Sequence, residues 1–152
     1  MKKIFLMMAA MLALAVTAAE NGGKELLTGK WQFSKGLTGT VKEKAVTFQR
    51  SADTKSWIAT MNFKVEAGAT YSVQAVINGI NSSKNVDMMV RFDKNTERKH
   101  FAPALQADKS YLAKGEFTVP AGCKNASFSI WRGKGPADEK IVVSNYSVKK
   151  IK

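Results

Sequence analysis

FKVEAGATYSVQAVIN, Phe63 to Asn78, is the stretch that decides the fold. Apolar residues fall at every second position on both sides of a Glu66-Ala67-Gly68 corner: Phe63 and Val65 before it, then Tyr71, Val73, Ala75 and Ile77 after it. A period of two puts alternate side chains on opposite faces of a pleated strand, so two half-buried strands joined as a hairpin are expected. The corner is too short for a helix, and Gly68 supplies the backbone freedom that a sharp reversal requires.

The same alternation continues outward. Trp57, Ala59 and Met61 extend the parity of Phe63, which reads Trp57 as core, with an aromatic ligand platform as the alternative. Leu27, Trp31 and Phe33 share a parity in a first strand, with Trp31 inward. Val41, Val46 and Phe48 mark two more strands around the polar link Lys42-Glu43-Lys44, and Arg50 to Lys55 reads as a loop. Beyond the corner, Gly79 to Lys84 is a loop by composition. Val86, Met88, Val90 and Phe92 then face inward, with Asp87, Met89, Arg91 and Asp93 opposite.

Asn95 to Lys109 has no clear period and fits either a short strand or a long surface loop. Strand character returns at Tyr111 to Val119, with Phe117 and Val119 inward, then at Ala126, Phe128 and Ile130, and after a loop at Gly133 to Glu139 in a last strand, Ile141 to Ile151. Eight to ten short strands without alternating helices predict an all-β antiparallel sandwich or jelly roll.

Met1 to Ala19 has Lys2 and Lys3, an apolar run from Ile4 to Val16 and the small residues Thr17-Ala18-Ala19, the pattern of a cleaved secretory signal peptide. The run is shorter than the roughly 20 residues of a bilayer span, and no cysteine follows it for lipid anchoring. A secreted or periplasmic single domain over residues 20–152, with no membrane span, is expected. It keeps 22 of the 24 basic residues and all 12 acidic ones, a net charge of +10. Its lysines are dispersed and no nucleic-acid motif is present, so the charge is read as solubility or as affinity for an acidic polysaccharide or anionic surface rather than for DNA or RNA. Cys123 is the only cysteine, which excludes an internal disulfide and favours a buried, inert thiol.

Three segments carry a family resemblance: Val65-Glu66-Ala67-Gly68-Ala69-Thr70-Tyr71-Ser72-Val73, Phe117-Thr118-Val119-Pro120-Ala121-Gly122 and Val143-Ser144-Asn145-Tyr146-Ser147-Val148. In order and spacing they resemble the galactose-binding-like jelly rolls, especially carbohydrate-binding modules of the family 4/9 type. The resemblance implies two antiparallel sheets, with ligand taken on the outer face of one sheet or in the end loops. It also implies a structural calcium ion held partly by an acidic residue near the start of the last strand. Ser144 stands there instead, and a hydroxyl is a poor calcium ligand beside a carboxylate, so no cofactor is assigned.

Parity alone turns Ser127, Ser129 and Trp131 away from the core, with Gln74, Val76 and Asn78 on one neighbouring strand and Met89 and Arg91 on the next. Taken as one face, these suit a pyranose, whose C–H patches stack on an indole while its hydroxyls meet amide and guanidinium groups. Carbohydrate-binding candidates are therefore Trp131, Arg91, Gln74, Asn78, Met89 and Trp57. The competing assignment has Trp131 covering the end of the sandwich beneath the 133–139 loop and Arg91 paired with Asp87 or Asp93. A noncatalytic polysaccharide-binding module, acting alone or with a partner enzyme or envelope protein, leads. A structural or adhesive envelope domain making protein contacts is the alternative. Catalysis finds no support, because His100 is the only histidine and adjacent carboxylates such as Asp138-Glu139 do not oppose one another across a cleft.

Overall fold

The alternation is realised as eleven strands in two antiparallel sheets. The structure is a computed structural model and describes residues 23–50, 57–80, 84–94, 96–135 and 139–152. The signal peptide expected over residues 1–19 lies outside the described residues, as does nearly all of the loop expected at 50–55. Strands numbered in chain order fall into a five-stranded sheet, in spatial order β1 (Gln32–Phe33), β4 (Trp57–Lys64), β10 (Asn125–Arg132), β6 (Val86–Phe92) and β7 (Arg98–Phe101). The six-stranded sheet runs β2 (Leu37–Lys42), β3 (Ala45–Arg50), β11 (Lys140–Lys150), β5 (Thr70–Asn78), β9 (Tyr111–Thr118) and β8 (Ala104–Leu105).

The sides that face each other carry the inward parities read from the sequence. Ala59, Met61, Phe63, Met88, Val90, Phe128 and Ile130 meet Val46, Phe48, Tyr71, Val73, Ile77, Ile141 and Val143 in one core. Each large side chain withdrawn from water there stabilises by about 1.5–3 kcal/mol. Trp31 packs into it edge-on to Phe48, Phe128 and Tyr146 at centroid distances of 5.4, 5.8 and 5.3 Å. Cys123 is buried, as expected.

The deciding stretch is an arch and not a hairpin. β4 pairs with β1 and β10, whereas β5 pairs with β11 and β9, so the chain changes sheet at the corner. The amide of Ala69 donates to the carbonyl of Glu66 at 3.1 Å, and Gly68 has φ +80°, the conformation a type II turn demands at its third position. Pro120 to Cys123 repeats the device, with Gly122 at φ +78°, as the chain returns from β9 to β10. Gly68 N–H donates to Val119 C=O at 2.9 Å and Val65 N–H to Lys124 C=O at 3.1 Å, so the two arches brace each other. Period-two counting marks a corner but cannot tell a strand that pairs with its neighbour from one that faces it across the core.

Smaller readings are also corrected. The first strand contracts to Gln32–Phe33, Ile80 is buried although its surroundings read as loop, and the unpatterned stretch after residue 95 supplies two short strands, one to each sheet.

Candidate functional site

In an antiparallel ladder, directly opposed residues share a face, so the register fixes what lies on the outside of the five-stranded sheet. One rung holds Ile58, Trp131 and Asp87. The next holds Gln32, Thr60, Ser129, Met89 and His100, and the third Asn62, Ser127, Arg91 and Arg98. Lys64 and Asn125 close the face, with Asp93 against them. No helix lies over this face among the described residues.

Trp131 is half-buried. Its ring reaches over Gly133, where a Cβ would come within 2.9 Å of Cη2, so the indole is seated on the chain just beyond the end of β10. That seat is held from below. Glu139 accepts from Arg132 Nε at 3.2 and 3.1 Å and from Nη2 at 2.7 Å, and lies 3.6 Å from Arg50 Nη2. Arg132 also donates to Lys84 C=O at 2.9 Å, and Arg50 to Gly133 C=O at 2.5 Å. Burial is the main influence lowering the Arg50 pKa; Glu139 opposes it. Arg50, Arg132 and Glu139 went unread in the sequence: Arg50 and Arg132 continue the inward parity of Phe48 and Ile130, but a charged residue at a strand end reads as solvent, and Glu139 reads as loop.

Arg91 lies on the Trp131 face but two rungs away, about 13 Å at the rise of a strand, the length of a short oligosaccharide. It pairs with neither Asp87 nor Asp93. Asp87 is engaged by His100 Nδ1. Asp93 accepts from the side chain of Asn125 at 2.7 Å and from the amides of Asn125 and Lys124 at 3.2 Å each; these bonds, the Asn125 side chain foremost, hold its carboxyl below the usual range. Arg91 has no side-chain partner among the described residues, and its Nε is buried without one. Partial burial and then the charge of Arg98 lower its pKa. Beside it opens a cavity of about 420 Å³ lined by Asn62, Arg91, Phe92, Asp93, Asn125, Ala126 and Ser127.

The remaining candidates divide. Met89 is on the Trp131 face but only 4% exposed and outside the core cluster, so it floors the face and offers almost no contact surface. Gln74 and Asn78 belong to β5, on the outside of the other sheet, so the single face drawn from parity is two faces on opposite sides of the sandwich. Gln74 is occupied there, donating to Asn145 C=O at 3.4 Å. Trp57 opens β4 opposite Arg132, and its side chain lies outside the described residues. Ser144 pairs with Ala45 and Val76 in the ladder, and no group of three His, Cys, Asp or Glu converges among the described residues.

Sequence reasoning missed Thr60, Asn62, Arg98 and His100. The first two were available, as the alternate positions to Ala59, Met61 and Phe63. Arg98 and His100 needed the register of β7, where Phe101 faces inward with Met88 and so turns its alternates outward.

No family model matches the sequence, and no curated protein matches it. Solved structures do share its fold. The enzymatically active domain of bacteriophage CBA120 tailspike protein 4 superposes with a TM-score of 0.57 at 14% identity over 87% of this chain. A family 4 carbohydrate-binding module, CBM4, gives 0.55 at 13% identity over 86%, and an arabinose-bound GH51 α-L-arabinofuranosidase 0.54 at 14% over 83%. The chain spans 20% of the tailspike domain and 26% of the arabinofuranosidase, but 97% of the CBM4 module. At these identities the likeness is one of fold: the chain is an all-β jelly-roll sandwich of the kind that carbohydrate-binding modules have, without assignment to family 4 or 9.

Proposed function

We propose that the chain is an exported, noncatalytic carbohydrate-binding domain that holds a polysaccharide across the outer face of its five-stranded sheet. The observation that carries this reading is the run of rungs from Trp131 to Arg91: a half-buried indole at one end, the Thr60 hydroxyl between over a floor of buried Ser129 and Met89, and at the other end a cavity lined by Arg91, Asn62 and Ser127. An indole edge or face and neutral hydrogen-bonding groups about 13 Å apart along a strand match the amphipathic surface of a short sugar chain. The leader pattern at residues 1–19 supports export, and the net charge of +10 over residues 20–152 favours an acidic polysaccharide.

Two observations support the noncatalytic part. Among the described residues, Asp87 and Asp93 are the strand carboxylates on this face, and six residues of strand hold them about 20 Å apart, beyond the roughly 5–10 Å that glycoside hydrolysis uses. Both are also engaged by neighbours.

A glycan array followed by titration of the best ligand tests the reading. Trp131→Ala is expected to lower affinity at least about tenfold with the melting temperature retained, since the ring contributes contact area and stacking. Gln74→Ala and Asn78→Ala, on the far face, are expected to leave affinity within twofold. Undiminished affinity in Trp131→Ala would refute the placement.

A second reading, an adhesive or structural envelope domain, is favoured by the six-stranded sheet, whose outer rung runs from Lys42 at the β2 edge through the uncharged Ala45, Ser144, Val76, Leu112 and Ala104. Capture of an envelope protein that Val76→Lys abolishes, with no glycan bound, would select it.

A further inference from the structure

Arg91 and Arg98 oppose each other directly in the β6–β7 ladder. Like charges in that position repel, with Cβ atoms about 5 Å apart, and folded proteins normally place a carboxylate between or beside them. Among the described residues none is free to do so. Asp87 is taken by His100, Asp93 by Asn125 and Lys124, and Glu97 by Lys99. Lys64 Nζ, which donates to Asn125 Oδ1 at 2.7 Å, adds a third cation at the same end of the face. Neither arginine has a side-chain hydrogen-bond or ion-pair partner among the described residues, and the cavity of about 420 Å³ opens against one of them.

Asp93 lines that cavity and keeps its charge, but its oxygens accept from three neutral amide donors and from no arginine, and one carboxylate stands there against Arg91, Arg98 and Lys64. The uncompensated charge belongs to the two guanidinium groups. A guanidinium presents a planar fork of N–H donors that matches a carboxylate or sulfate oxygen pair, and partial burial strengthens that bond relative to water. Asn62 and Ser127, on the same rung, offer neutral contacts to hydroxyls flanking such a group.

We propose that Arg91 and Arg98 form an anion subsite that binds the carboxylate or sulfate substituent of an acidic polysaccharide lying on this face. The proposal rests on the carbohydrate-binding reading and specifies its ligand class. Recognition is then local, and it separates this site from diffuse attraction by lysines spread over the surface.

Isothermal titration of the full chain tests it with matched polymers: polygalacturonate against its fully methyl-esterified form, and a sulfated galactan against the same galactan after desulfation. Each is run with wild type, Arg91→Gln, Arg98→Gln, Lys114→Gln and Trp131→Ala. Arg98 is exposed on an edge strand, so its variant keeps the test open where Arg91→Gln folds poorly. The expected result is at least about a tenfold loss on the charged polymers for either arginine variant, no change on the neutral forms, and less than twofold for Lys114→Gln on the opposite sheet.

The polymer pair that loses most identifies carboxylate or sulfate as the anion. Equal losses for Lys114→Gln and the arginine variants would overturn the subsite in favour of net charge. Arginine variants that bind like wild type, while Trp131→Ala loses both charged and neutral polymers, would overturn the subsite and leave the carbohydrate reading standing. No retention of any polymer by wild type would overturn both.

Discussion

The two outer faces of the sandwich come from one alternation and similar residue classes, yet they treat their polar groups differently. On the six-stranded sheet, Gln74 donates to Asn145 C=O, Ser72 to Lys149 C=O at 3.4 Å, and the Thr70 and Thr118 hydroxyls share a bond of 3.1 Å. On the five-stranded sheet the carboxylates are equally committed, but Arg91 and Arg98 face each other without partners among the described residues. A face that satisfies its own groups gains little from a ligand. One that leaves guanidinium groups beside a cavity is completed by an anion, and there the cost of burying polar groups turns into specificity.

The comparison breaks most sharply at the end of the molecule that joins the faces. Arg50 comes from the six-stranded sheet and Arg132 from the five-stranded one, and Glu139 lies between them with a side chain 6% exposed. Glu139→Gln leaves two buried guanidinium groups without their counter-charge, and a loss of about 3–5 kcal/mol is expected from denaturant midpoints. Polysaccharide affinity should fall with it, because Gly133, the seat of Trp131, is tied to Arg50. Glu66→Gln removes the exposed pair with Lys150 near the other end and should change neither quantity. Similar losses in the two variants would show that the buried cluster does not support the binding face.

A smaller effect separates the sheet edges. Phe101 of β7 packs its ring where a Cβ on Gly115 of β9 would sit, 2.5 Å away, and Phe33 of β1 does the same over Gly39 of β2 at 2.2 Å. Gly115→Ala and Gly39→Ala should each cost about 1–3 kcal/mol through overpacking. Only the first displaces the strand that carries Arg98 and His100, so only Gly115→Ala should weaken binding of an acidic polymer. Calorimetric melting paired with titration checks this, and weakened binding in both variants would mean that the edges are not independent.

These contrasts also show what the sequence could and could not disclose. The inward apolar residues of β5, β6 and β10, and Ala59, Met61 and Phe63 of β4, were legible, because burial imposes a strict period of two on a strand. The sheet to which a strand belongs was not legible, since Gln74 and Arg91 are outward by the same rule and end on opposite sides. The ion cluster stayed hidden for another reason: Arg50, Arg132 and Glu139 meet only when three distant strand ends converge. The uncompensated arginines needed both the register of β7 and knowledge of where Asp87 and Asp93 spend their oxygens.

The smallest effect lies in the acid range. Asp93 beside the cavity and Asp108 before β9 both have carboxyl pKa values held below the ordinary range, the first mainly by the Asn125 side chain and the second mainly by the Ser110 hydroxyl. A depressed folded pKa contributes stability above the unfolded value, about 3.9, and that contribution is lost as pH falls through the folded value. Melting curves from pH 5 to pH 2 should therefore decline less steeply in Asp93→Asn and in Asp108→Asn than in wild type. The faces part company in the ligand arm. Asp93→Asn removes a negative charge next to Arg91 and should modestly tighten an acidic polymer at pH 7, whereas Asp108→Asn should leave its affinity alone. Equal tightening by both would mean that the polymer senses the charge of the whole molecule and not the arginine pair.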